Sequence, residues 1–442
     1  DLTDGNKATI DGKEMTYLEY LEAMPEELYN AIMYSYGVSI SANMFTDVSI
    51  GGSTADAMNK TMMNMSLESL REYYTYLLTT RDTEYANLTQ FVRYFTDVVS
   101  VMPDTLGNFS DETYGDYVQS QYDVIYGHFP QSSDEIVLVV GEENDVIDLT
   151  LVQLGFLDET EFLGLFIDST DGADDEAMSI PFEEILDKQY YLYYNDAVFT
   201  PNPYGLGGYS YIYSGYSQLE EDESVTVAPE DGKTLKISGI LRLKDGLTYG
   251  CLSDGLCITE NLLQEYITEN MQSAIVRTLN EITQEDSISV INHLVGEYSI
   301  DTVLKIIEDG GIPGPQDIAS RYNYSDIPIS TATNELIRTL GGNNTPSGIS
   351  VYAKDFTTKE QMLAYMDGWN SAVEDARTAY FEANNTYEGY DGPAEINYSD
   401  TVGTLMGMVN TILNAITYVL VAFTAISLVV STVMIGVITY VS

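Results

Sequence analysis

Leu67, Leu70, Tyr74, Leu77 and Leu78 recur at helical spacing, while Glu68, Arg71 and Glu72 fall on other faces. That pattern predicts an amphipathic helix with one core-facing stripe. A second helical stretch is expected over residues 85–101, so residues 1–125 read as mainly helical. The pattern then changes to short apolar, β-rich runs between turn residues, and residues 126–260 read as a β-rich part. EIVLVV (135–140), residues 190–194 and LKISGILRL (235–243) each predict a strand. Among the connections, DSTDGADDE (168–176) has the acidity of a calcium loop, but Thr170 stands where the second acidic ligand belongs, so an ordinary acidic loop is expected. The Tyr- and Gly-biased run YGLGGYSYIYSGY (204–216) predicts a hairpin or surface loop rather than a carbohydrate site.

Residues 261–400 return to mixed helix and strand. Helices are expected near 260–269 and 301–308, and a strand at 348–353 (GISVYA) leads into a further helix. Thr357 and Glu360 have capping-box spacing at its start. Met362, Met366, Trp369, Val373 and Tyr380 form its apolar face, the loop at 384–393 ends it, and INYSD (396–400) follows. Residues 401–442, expected to be a stalk and transmembrane helix, contain no Asp, Glu, Lys, Arg or His, and 412–441 is almost continuously apolar. At about 1.5 Å per residue that apolar run is about 45 Å long, against a bilayer core of roughly 30 Å. Gly403, Gly407, Asn410, Asn414 and Thr417 share one face of this helix. Small residues allow close approach and Asn can hydrogen-bond across a contact within a membrane, so the face is expected to meet another helix. No internal repeat of 20 to 50 residues is evident.

Composition narrows the function. The chain of 442 residues has 18 Lys and Arg against 69 Asp and Glu, a formal net charge of -51. Such a chain will not bind nucleic-acid phosphates. A basic-poor region beside a span belongs on the outer side of a membrane, so residues 1 to about 405 are expected to be extracytoplasmic. The acidity could steer cations or cationic peptides to the surface, but a solvated acidic surface is the simpler explanation. With 44% hydrophobic residues the part before the span can build a core, and its length allows two or more subdomains. The N-terminus is polar and the apolar segment runs to the last residue, so a fragment of a longer membrane protein is expected. Cys251 and Cys257 are the only cysteines. In an outer compartment they form either a small-loop disulfide or two separate thiols, and without nearby histidines they are a poor metal site. His128 and His293 are the only histidines, and no GxxxxGK[ST], HExxH or CxxC motif is present. No catalytic residue, cofactor or metal is therefore expected.

Several blocks together resemble the permeases of MacB/FtsX-like ABC transporters, in particular the large-ectodomain type of Gram-positive gut bacteria. They are YDVIYGHFP (122–130), DEIVLVV (134–140), LKISGILR (235–242), ISVY (349–352), FTTKE (356–360), INYSD (396–400) and VAFTAISLVVSTVMIGVITYVS (421–442). The resemblance covers roughly residues 115–442 in scattered pieces. It departs from the family at His128, where an Arg is usual. The resemblance implies an α+β ectodomain, with a porter-like part and a smaller β-rich part, and a C-terminal transmembrane helix that is the second of four. It further implies an ABC ATPase, fused or separate, a second permease copy or a homologous permease, and contact with membrane lipid. The function it implies is export or extraction of peptides, lipoproteins or drugs, driven by ATP-powered motion of the membrane helices. The other reading of the residues is a surface binding or adhesion protein anchored by one span.

Overall fold

The computed structural model describes all residues except 1, 3–4, 52–60, 82, 168–177, 206–209, 219–231, 283–285, 310, 312 and 326. The acidic loop expected at 168–176 lies outside the described residues. The chain divides into two compact units, a larger one comprising Ala23–Leu363 and a smaller one comprising Thr3–Glu22 and Ala364–Ser442.

The larger unit is built on a nine-stranded mixed sheet among the described residues. Its order is Tyr216–Gln218, Thr61–Ser66, Met44–Ile50, Gln189–Leu192, Lys233–Leu243, Glu135–Val140, Gly255–Thr259, Val99–Met102, with Tyr122–Gly127 also pairing Lys233–Leu243. Lys233–Leu243 is the central strand. It pairs antiparallel with Gln189–Leu192 and Tyr122–Gly127 and parallel with Glu135–Val140, in the register Leu241↔Val139. Three of the sequence blocks named above are thus neighbours in one sheet. Glu135–Val140 is buried from Ile136 onward, which explains its unbroken apolar run, since a strand covered on both faces has no polar side. The helix Glu260–Asn270 follows Gly255–Thr259 directly, is capped by Thr259 Oγ1 at Leu262 N, and lays Leu262, Leu263, Tyr266 and Ile267 into the core. A second sheet, Phe199–Pro201, Tyr211–Tyr213, Val295–Tyr298 and Ile318–Ser320, shares a core with the helices Ala274–Asn280 and Ile329–Thr339.

The smaller unit begins with the hairpin Lys7–Ile10 and Lys13–Thr16, turned at Asp11 and Gly12. Both turn residues have positive φ, 51° and 78°, the left-handed pair that a two-residue hairpin needs and that Asp-Gly supplies. Trp369 lies fully buried between Tyr17 and Tyr20, with ring centroids 5.2 and 5.9 Å away. Tyr20 stacks on Tyr365 at 4.5 Å, and each hydroxyl donates to the other residue's carbonyl oxygen.

Four expectations are corrected. Residues 1–125 are mixed rather than mainly helical, because Met44–Ile50, Thr61–Ser66 and Val99–Met102 enter the large sheet. The boundary drawn at 125/126 therefore falls inside that sheet. The second helical stretch is a 3-10 helix, Thr83–Tyr94, followed by the strand Val99–Met102. Of the two forms expected for the Tyr-rich run, the surface loop fails at its centre and the hairpin holds in part: Tyr211–Tyr213 is a buried strand, antiparallel to Phe199–Pro201 and parallel to Val295–Tyr298. Its aromatic rings fill core, while the Tyr213 hydroxyl donates to Ser66 Oγ and Tyr211 shares a hydrogen bond with Thr278. Finally, the helix Phe356–Asn384 is capped by Asp355, not Thr357. The Asp355 carboxylate accepts from Thr357 N and Thr358 N, while Asp355 N donates to Thr358 Oγ1. Of the face predicted on this helix, Met362, Met366, Trp369 and Val373 are buried and Tyr380 is half-buried.

Candidate functional site

The segment that leads into the C-terminal apolar helix is the best-defined feature of the smaller unit. Residues 394–398 belong to no helix or strand, so their backbone groups have no partner within an element, but side chains satisfy several of them. Asn370 makes a reciprocal pair with Ile396, Nδ2 to the carbonyl oxygen and Oδ1 from the amide, both at 2.9 Å. Asn6 does the same for Ala394, whose amide donates to Oδ1 at 2.8 Å, and Trp369 Nε1 donates to the Ala394 oxygen at 3.2 Å. Tyr398 donates to Asp367 Oδ1 at 2.7 Å. Asp400 then caps the last helix, its Oδ1 accepting from Gly403 N at 2.7 Å.

That helix, Thr401–Val441, is unbroken for 41 residues. Its segment Met406–Val441 has a mean hydropathy of 2.4 in its most apolar window, none of it buried, and is long and apolar enough to cross a membrane. At about 1.5 Å per residue those 36 residues span about 54 Å. Soluble monomers rarely expose an apolar surface of this extent.

The predicted interface positions Gly403, Gly407, Asn410, Asn414 and Thr417 all lie on this helix. Gly403 has a local reason to be glycine, since a Cβ there would collide with the Asp400 carboxylate that caps the helix. Gly407 faces open space. Thr417 satisfies its hydroxyl within the helix, donating to the Leu413 oxygen at 2.8 Å.

In the larger unit, Cys251 and Cys257 are free thiols rather than a disulfide. Cys257 is fully buried, with Sγ 2.8 Å from Ser100 Oγ, and burial pushes both thiols up to about 12. Cys251 and Ser100 line a pocket of about 280 Å³. His128 is exposed, with Nδ1 3.7 Å from a Glu135 carboxylate oxygen. His293 Nδ1 donates to the Ser289 carbonyl oxygen, 2.8 Å away. Neither histidine adjoins a nucleophile in these contacts.

A charged centre that the sequence reading missed is Arg321, whose side chain is 3% exposed. It pairs with Glu68 at 2.9 Å, Glu72 at 3.8 Å and Glu297, and its guanidinium lies 3.9 Å from the centre of the Tyr213 ring. One side chain thereby ties the helix Leu67–Tyr76 to the second sheet. Burial pushes Glu72 up to about 7 against the pull of Arg321. Two other buried ionisable groups are structural in the same way. Lys188, drawn down to about 8 by burial, donates to the Asp47 and Gly155 oxygens, both at 2.8 Å. Glu260, pushed up to about 7 by burial, accepts from Thr105 N.

Among the described residues no group of three or more His, Cys, Asp or Glu is arranged to hold a metal ion. Comparisons with protein-family models, with curated proteins and with solved structures find no match for this chain.

Proposed function

We propose that this chain is the ectodomain and following membrane helix of an ABC transporter permease of the MacB/FtsX type. In this reading an ATPase, fused or separate, moves the membrane helices, and the ectodomain exports or extracts a peptide, lipoprotein or drug. The observation that carries the proposal is the clamp on residues 394–398. A flexible tether would suffice to anchor a surface protein, yet here Asn6, Asn370 and Trp369 fix the entry segment and Asp400 continues it into an unbroken helix. Displacement of the helix is then carried into the buried Tyr17, Tyr20 and Trp369 cluster instead of being absorbed by slack chain. The Gly407 and Asn414 face is available for a neighbouring helix of the same permease, of a second copy or of a homologous permease.

The gene decides between this reading and a single-span anchored binding or adhesion protein. A transporter requires a span upstream, at least two more downstream and an ABC ATPase fused or encoded alongside. A stop codon shortly after Ser442, with no ATPase nearby, would overturn it. In the full-length protein, replacing Gly407 and Asn414 together by Leu should weaken permease assembly; unchanged assembly on native gels would remove that face from the interface.

A further inference from the structure

The pocket of about 280 Å³ in the larger unit is not used by the coupling proposed above, and its chemistry is uneven. Its apolar floor includes Ile40, Ile258 and Leu263, all buried, and Tyr34 and Tyr36 contribute to its wall. Asp97, which is exposed, is the one charged residue among those lining it, and Ser35, Ser100 and Ser253 are among its polar ones. The Asp97 carboxylate is held in place, with Oδ1 accepting from Ser41 Oγ at 2.6 Å and from Val99 N at 3.1 Å. Charges around the pocket are also acidic: Glu260 acts on Tyr36, Asp104 on Cys251 and Asp254 on Cys257. Arg338, behind Gly37, turns its guanidinium to the Thr345 oxygen and is not among the lining residues.

We propose that this pocket binds a small amine, an arylalkyl body on the apolar floor with its ammonium group paired to Asp97. Size sets the ligand class. A volume of about 280 Å³ lies at the lower end of small-molecule pockets, which run to roughly 300–1,000 Å³, room for one ring and a short chain but not for a folded peptide. Sign sets the headgroup, because a carboxylate or phosphate would enter a field of like charge with no basic lining residue to meet it. The rings of Tyr34 and Tyr36 in the same lining favour a cation further, and the net charge of -51 raises the local concentration of cations. This inference is independent of the transporter reading.

The test is calorimetric titration of the chain, held in lipid nanodiscs, with 2-phenylethylamine and with its neutral analogue 2-phenylethanol. Asp97→Asn keeps an oxygen for Ser41 and Val99, and Ser253→Trp places a bulky ring on an exposed rim position. The amine should bind saturably, more tightly than the alcohol, weaken about tenfold or more in D97N and be lost in S253W. Alcohol binding should not change in D97N. Equal amine affinity in the parent chain and D97N, retained binding in S253W, or no saturable amine binding to the parent chain would each overturn the proposal.

Discussion

At the scale of single residues, Arg321 and Glu72 give the clearest prediction. Glu72 is 38% exposed and pushed up to about 7, from 4.5 when free, by burial. Between those values the folded state keeps a proton that the unfolded state has lost. Its contribution to stability is therefore complete below about pH 4.5 and fades as pH rises through 7. Glu72→Gln fixes the neutral form. The melting temperature of E72Q minus that of the parent chain should rise from pH 5 to pH 8, by about 2 °C for roughly 1 kcal/mol after screening by solvent. A constant difference across that range would show that Glu72 does not titrate there. Arg321→Met leaves Glu297 without its cation and Glu68 with only Arg71, 3.5 Å away, and should cost about 3–5 kcal/mol. None of this was visible in the sequence, since positions 68, 72, 297 and 321 meet only after both sheets form. The thiols make a second residue-scale prediction. Cys257 and Cys251 should react slowly with a thiol reagent at pH 8, because the nucleophile is the thiolate, and two thiols per chain should appear on denaturation. A denatured chain with none would restore the disulfide.

Among the elements, the short β-rich runs between turn residues were the easiest to read. EIVLVV at 135–140 has the bounds expected from its composition, and so does the strand at 348–353. Tyr211–Tyr213 was not legible, because Tyr and Gly suit a turn as well as a strand and only its two neighbours decide. The start of the helix Phe356–Asn384 was misplaced by two residues for a similar reason. Thr357 to Glu360 and Asp355 to Thr358 both have cap spacing, and the backbone geometry selects the second. The difference can be measured. Asp355→Ala should cost about 1 kcal/mol, while Thr357→Ala should change thermal stability by a few tenths at most. The opposite ranking would move the cap back to Thr357.

For the whole molecule, the apolar C-terminal helix was legible from composition alone, but the way the chain enters it was not. Asn6, Asn370 and Ala394 are far apart in sequence, and an Asn carries no pattern that marks it as a backbone partner. Their hydrogen bonds turn five residues of otherwise bare chain into part of the smaller unit. Asn370→Ala should release both groups of Ile396, a loss worth roughly 1 kcal/mol per bond. Hydrogen exchange at the Ile396 amide should then quicken by about tenfold, with a smaller effect at the Ala394 amide, which keeps Asn6. Exchange in Lys233–Leu243, central to the sheet of the larger unit, should be unaffected, because local opening and global unfolding are separate processes. If both regions quickened together, the clamp would be part of one cooperative fold instead of a local fastening. If neither changed, residues 394–398 would be held by something other than Asn370, and the mechanical coupling proposed for this segment would lose its basis.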